Sequence, residues 1–305
     1  MKNTSFHQLI EEASQIVLDK ESEIRLAVTC LLAGGHLLIE DLPGVGKTTL
    51  VHVLGKLTGL STKRIQFTID LMPADVLGGQ VFNTQEQKFF FHKGPLFSQL
   101  VMADELNRAS PRTQSALLQA MEEGEVSIDG ETWSLPEPFY VIATQNPHQQ
   151  TGTFALPESQ LDRFLMSLEL QYASKETEVR LFQGLDPREK IKELKSLFKE
   201  NEILQVLQIV RNVKVSKAVA DYVGNLLERS RESDFQGQVL STRAGLALIK
   251  AAKAWAFLEG RDYLRPEDVQ AVLISVLGHR LGGNHGIKKG REWALVLQQS
   301  TRVPA

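Results

Sequence analysis

Across 305 residues there is one cysteine. No disulfide can form within the chain, so the fold must hold by burial, which suits a reducing compartment. Cys30 lies in the apolar helical run AVTCLLA and reads as a small buried hydrophobe. A long apolar run is also missing. The most apolar window, Leu26 to Ile39, is broken by Thr29, Gly34, Gly35 and His36 and falls short of the roughly 20 residues that a spanning helix needs. The opening MKNTSFHQLIEEA mixes acids and amides where a secretory leader carries an apolar stretch, so a cytoplasmic location is expected. Charge of one sign is lacking too: 34 Lys and Arg stand against 37 Asp and Glu, a net charge of −3. That balance gives no field to gather polyanions, and nucleic acid is not an expected partner. Repeats and low-complexity segments are absent, and the seven histidines show no ligand-like spacing. Trp133, Trp255 and Trp293 are scattered and are expected to be packing residues.

What is present is an ordinary globular composition, 42% hydrophobic and 23% charged, at a length that suits two domains. Residues 4–18 and 23–32 have helical apolar spacing. HLLIE at 36–40 is a short buried strand that runs into a glycine loop, and TTLVHVLGKL is the helix after it. Strand, turn and helix N-terminus in that order are what a phosphate-binding loop requires. Further strands are expected at RIQF (64–67), LVMA (100–103), FYVIAT (139–144) and FLMSLEL (164–170), alternating with helices. A parallel α/β sheet follows. Two hairpins interrupt it, GQVFNTQEQKFFFHKGP at 79–95 and VSIDGETW at 126–133, the second with an Asp129-Gly130 turn. Between them, Ser110 and Pro111 cap a helix that ends at Gly124. After Asp186 only helices are expected, over 190–198, 202–210, 216–230, 244–257 and 266–277. The division is therefore an α/β core over 1–185 and an all-helical part over 186–305, with the tail beyond 281 unassigned.

The loop IEDLPGVGKTTL departs from the phosphate-loop pattern at one position, since Asp41 stands where the first glycine belongs. Asp41 precedes the turn, where its side chain can point away from phosphates, so the change is expected to be tolerated. Pro43, Gly44, Val45, Gly46, Lys47, Thr48 and Thr49 form the expected nucleotide cradle. The glycines let backbone N–H groups approach the anion, Lys47 reaches the β and γ oxygens, and the Thr48 hydroxyl ligates Mg2+. LVMADE at 100–105 ends a buried strand in two carboxylates at the sheet's carboxyl edge. Asp104 is the expected second magnesium ligand and Glu105 the group that polarises the attacking water. Thr144 and Asn146 end another strand at the same edge, and Asn146 is the candidate for orienting that water. Arg163 precedes a strand and Arg243 starts a helix; they are candidates for charge at the transition state and for contact with the γ-phosphate from above. Spacing alone does not choose between these roles and ordinary salt bridges.

DLPGVGKTTL, ADELNRASPRTQSALLQAMEEGEV, VIATQNPHQQTGTFALPESQLDRF and STRAGLALIKAAKAWAFLEGRDYLRPEDV together resemble the MoxR family of AAA+ ATPases across nearly the whole chain. DELNRASPRTQ is the most specific block, because the related magnesium-chelatase ATPases continue differently after DE. The resemblance implies an ATP-hydrolysing enzyme with Lys47 and Thr48 as the Walker A pair and Asp104 and Glu105 as the Walker B pair. It likewise implies Asn146 as sensor 1, Arg163 as arginine finger and Arg243 as sensor 2. The hairpins become the helix-2 and pre-sensor-1 inserts, and the helical part the lid. The expected cofactors are ATP and Mg2+. The expected partners are five further copies in a hexameric ring and a protein client, of the kind that carries a von Willebrand factor A (VWA) domain or a metal cofactor. Thr242 departs from the family, where proline usually precedes the sensor 2 arginine, and leaves that turn less fixed. Two other readings stay open: a nucleotide-gated scaffold with incidental hydrolysis, and a nucleic-acid motor, for which Lys88, His92 and Lys93 are the only local sign.

Overall fold

A computed structural model describes residues 2–40, 44–145, 152–199 and 201–304. Two helices, α1 (Lys2–Ser14) and α2 (Glu21–Leu32), precede strand β1 (Leu37–Glu40). Then come α3 (Lys47–Thr58), β2 (Thr62–Gln66), α4 (Pro73–Leu77), and the hairpin of β3 (Gly78–Asn83) with β4 (Lys88–Lys93). Strand β5 (Leu100–Asp104) leads to α5 (Pro111–Glu123), the hairpin of β6 (Glu125–Ile128) with β7 (Glu131–Ser134), and β8 (Tyr140–Gln145). After α6 (Glu158–Leu161) and β9 (Met166–Leu168) the chain is helical: α7 (Lys175–Phe182), α8 (Glu202–Arg211), α9 (Lys217–Arg229), α10 (Thr242–Leu258), α11 (Pro266–Leu281) and α12 (Gly286–Ser300).

β2, β5, β8, β1 and β9 lie in that order in one five-stranded sheet, every pairing parallel. Successive side chains of a strand point to opposite faces, and both faces here are apolar. Leu37, Ile39, Leu100, Met102, Tyr140 and Ile142 enter one hydrophobic cluster with α1, α2 and α3. Leu38, Val101, Ala103, Val141 and Ala143 enter the other, against α4 and α5. The first cluster runs on without a break into the helices α8 to α12. A sheet covered on both faces needs near-continuous apolar strands, which LVMA and YVIA supply.

The local signals behave as their chemistry dictates. Ser110 Oγ accepts the Thr113 N–H at the start of α5, and Gly124 closes it at φ 69°. Asp129 and Gly130 both take positive φ, 52° and 83°, as a two-residue hairpin turn demands. The two hairpins touch through Phe91 and Trp133, whose rings stack with centroids 4.7 Å apart. His36, just before β1, accepts the Val141 N–H on Nδ1 and so presents its Nε2–H to the Met121 carbonyl. Burial pushes its pKa down to about 4, and it is a neutral strut between sheet and α5. Burial pushes the Cys30 thiol up to about 12, the inert behaviour expected of it.

One expectation needs correction. The helix expected over 190–198 is a 3-10 stretch at Pro187–Lys192 followed by irregular chain. The Leu197 N–H caps the end of α3 by donating to the Leu57 carbonyl, and Ser196 bonds Phe198, so the backbone groups a helix would use are spent elsewhere. The unassigned tail is a helix, α12, lying along α11.

Candidate functional site

Parallel strands give the sheet one carboxyl edge, and register puts the polar residues there side by side. Gln66 pairs with Asp104, Ile39 with Thr144, and Glu40 with Gln145. Gly44 and Gly46 follow β1 at the same edge with φ of 90° and 95°, conformations that L side chains rarely adopt. Gly46 is the N-cap of α3, whose first turn carries Lys47, Thr48 and Thr49. The N–H groups at the start of such a helix make an anion site. Pro43, Asp41 and Asn146 lie outside the described residues.

Asp104 is buried at the end of β5, with both oxygens engaged. The Thr144 hydroxyl donates to Oδ1 at 2.6 Å, and Arg64 donates to Oδ2 from Nη2 at 2.6 Å and Nε at 3.2 Å. The same Thr144 oxygen accepts the Glu105 N–H at 2.9 Å. Glu105 sits at φ 56°, ψ 47°, an uncommon conformation for a non-glycine residue. Its carboxylate accepts from Gln66 Nε2 at 2.9 Å and Arg108 Nη1 at 3.2 Å. One hydroxyl therefore orients the two acids, and polar side chains of β2 hold their outer oxygens. Arg64 and Gln66 escaped sequence reasoning. Their only signal was the polar alternation around Ile65 in RIQF.

Among the described residues no group of three or more His, Cys, Asp or Glu could hold a metal by itself. A hydroxyl and a single carboxylate suit Mg2+, which binds one or two carboxylates and takes its remaining ligands from phosphates and water. Thr48 and Asp104 fit that donor set.

A cleft of about 520 Å3 opens beside the loop, walled by Val17 and Leu18 from the α1–α2 connection, by Gly46 and Thr49, and by Leu181 and Phe182 of α7. Its walls are tied together. Asp19 accepts from the Ser174 N–H and hydroxyl, which hold its carboxyl below the usual range. Lys20 donates to the Asp19 and Tyr172 carbonyls. This concave slot, with Val17, Leu18, Leu181 and Phe182 among its lining, lies next to the glycine loop. It is assembled from distant segments, which is why no local motif announced it.

Arg163 and Arg243 lie elsewhere. Arg163 precedes β9, on the amino edge of the sheet, where the Leu165 N–H donates to the His36 carbonyl ahead of β1. It donates to the Leu118 carbonyl at 2.7 Å and pairs with Glu122 at 2.5 Å. Arg243 pairs with the same Glu122 and with Asp162, each at 3.5 Å. Asp162 in turn holds the buried Arg280 at 2.7 Å. Arg243 stands beside Arg163, at the opposite edge of the sheet from the glycine loop. Ser241 Oγ accepts the Ala244 N–H and caps α10. That cap fixes the turn which the missing proline at Thr242 left open.

The family model for ATPases associated with various cellular activities matches residues 36–166, and that for the AAA lid domain matches 229–293. Chaperone MoxR1 of Mycobacterium tuberculosis is 36% identical over 288 residues, covering 91% of this chain and 75% of that one. The chain belongs to the MoxR family of AAA+ ATPases. The uncharacterized protein YeaC of Bacillus subtilis is 40% identical over 272 residues, 89% of this chain and 85% of that one. The crystal structure of a Cytophaga hutchinsonii protein assigned as an ATPase superposes with a TM-score of 0.89 at 33% identity, covering 100% of this chain and 96% of that one. The α/β AAA+ core with its helical lid is thus the family's fold. Among the described residues no helix is long and apolar enough to cross a membrane.

Proposed function

We propose that the protein is a magnesium-dependent ATPase whose sites are completed between subunits of a ring, and that it acts as a cytoplasmic chaperone on a protein client. The observation that carries this reading is the separation of the parts. The phosphate loop and both acids share the carboxyl edge, while Arg163 and Arg243 share the amino edge. Neither set is a complete phosphoryl-transfer site by itself. A second copy placed head to tail supplies what the first lacks, and such a contact repeated by rotation closes a ring. Six subunits is the family's expectation.

In this reading the base lodges in the cleft beside Val17 and Phe182, and Lys47 with the N–H groups of the loop binds the triphosphate. Thr48 and Asp104 hold Mg2+, which supplies charge neutralisation on the phosphates. Glu105 accepts a proton from the attacking water, and Asn146 orients that water. Arg163 and Arg243 of the adjoining copy stabilise the charge of the transferring group. The core, over 1–185, and the lid, over 186–305, shift relative to each other as nucleotide turns over.

For the client, the first hairpin exposes Val81, Phe82, Phe89 and Phe90, an apolar surface of the kind that marks an interaction site. The relative named a chaperone supports the same role, and the client of this reading is a protein with a VWA domain or a metal cofactor.

Steady-state ATPase rate per subunit, measured over a wide concentration range beside Arg163→Ala, tests the reading. Specific activity is expected to rise with concentration and to collapse in the variant. A flat and equally small rate in both would overturn it in favour of a nucleotide-gated scaffold.

A further inference from the structure

Glu122 stands in the last turn of α5, one residue before Glu123 and two before the closing Gly124. Its two oxygens serve different arginines, Oε2 pairing with Arg163 at 2.5 Å and Oε1 with Arg243 at 3.5 Å. These are not core bridges: side-chain exposure is 45% for Glu122, 27% for Arg163 and 61% for Arg243. Nor is the arrangement a simple ion pair. Nη1 of Arg163, which pairs with Glu122, also donates to the Leu118 carbonyl, and Arg243 leans also on Asp162, whose other oxygen is committed to Arg280.

Two guanidinium groups close enough to share a carboxylate repel each other, and on exposed side chains that repulsion is relieved by splaying into solvent. A carboxylate between them offsets the repulsion and draws both groups toward itself through its two ion pairs. Three arginines against two carboxylates, Glu122 and Asp162, still leave the cluster with a net positive charge. It keeps its attraction for a polyphosphate while the half-buried Arg163 and the exposed Arg243 are held by their carboxylate partners. Preorganised charge is what stabilises a transition state, because no reorganisation remains to be done when the reaction occurs.

We propose that Glu122 is a positioning residue, holding Arg163 and Arg243 as a pair for the nucleotide of an adjoining subunit. The inference rests on the ring reading above, and it assigns to one side chain of α5 the spacing of both arginines. Asp162 has a different part, since its firmer bond to the buried Arg280 ties α11 to the segment before β9.

The test compares full-length wild type, Glu122→Gln and Arg163→Ala for ATPase kcat and KM, binding of a fluorescent ATP analogue, and thermal unfolding. Glu122→Gln keeps the size of the side chain and removes its charge. Its kcat is expected to fall at least tenfold, while analogue affinity stays within twofold and the unfolding temperature is nearly unchanged. Mixing it with Lys47→Ala, inactive by loss of the phosphate lysine, should restore part of the rate. At a mixed interface an intact nucleotide site meets an arginine pair still held by Glu122. Wild-type kcat in Glu122→Gln, or a low kcat that mixing fails to raise, overturns the proposal. If the Gln variant is unstable, Glu122→Asp is measured the same way; wild-type kcat there overturns it, and a lowered kcat at unchanged affinity supports it. Wild-type kcat in Arg163→Ala would instead remove the ring reading itself, whatever Glu122 does.

Discussion

The Thr144 hydroxyl donates to Asp104 Oδ1 and accepts the Glu105 N–H, so one buried atom sets the direction of a carboxylate and of the strained turn beside it. Thr144→Val preserves shape and removes both bonds. It leaves a buried carboxylate oxygen and a backbone N–H unpaired, at a cost of about 1–3 kcal/mol. We expect an unfolding temperature lower by a few degrees and an ATPase kcat reduced tenfold or more, with nucleotide binding retained; parallel calorimetry and steady-state kinetics check both. Residues of this kind divide by how far their evidence lies along the chain. Lys47, Thr48, Asp104 and Glu105 were legible because each motif is contiguous and its chemistry demands those residue types. Arg64 and Gln66 were not, because their partners are on a different strand and the pairing of β2 with β5 exists only once the sheet is formed. Arg163 and Arg243 were legible as candidates, but the carboxylate they share was not.

At the scale of elements, caps and turns carried the reading. Ser110 and Gly124 bound α5 as their chemistry requires, and the Asp129-Gly130 turn registers the second hairpin. Helix α10 shows why one missing signal need not matter. Without proline before Arg243, the turn is fixed by Ser241, whose side chain accepts the Ala244 N–H. Ser241→Ala should cost about 1 kcal/mol of stability through the lost cap. It should also free the first turn of α10, which carries Arg243. We therefore expect a several-fold loss of kcat from Ser241→Ala but a loss of stability alone from Ser216→Ala, the equivalent cap of α9. Equal ATPase rates in the two variants would separate the cap from the function of Arg243. Residues 190–198 misled for the opposite reason: their apolar spacing is helical, but Leu197 gives its N–H to the end of α3. Periodicity reports which side chains are buried, and says nothing of where the backbone bonds go.

The molecule as a whole is closed by a segment that the sequence left blank. Helix α12 buries Trp293, Ala294 and Leu297, a helical spacing in which the preceding inward position is Gly290. With no side chain there, the apolar stripe is broken just where the two helices come closest. A Cβ at Gly290 would lie 1.9 Å from the Gly278 carbonyl oxygen and 2.6 Å from the Gly282 nitrogen. Those are backbone atoms, Gly278 within α11 and Gly282 at its end, and they cannot swing aside as a flexible side chain would. Gly290→Ala must therefore push α12 away and loosen the packing of Trp293 and Leu297, which costs roughly 2–5 kcal/mol if their burial is largely lost. Gly224, inside α9, makes the contrast, since a Cβ there meets nothing within 4 Å. Gly224→Ala should raise stability by up to about 1 kcal/mol, through helix propensity and a less flexible unfolded chain. Opposite shifts in unfolding temperature for the two substitutions would establish that α12 is docked by close backbone approach. A Gly290→Ala protein as stable as wild type would mean that the tail contributes little to holding the helical part together.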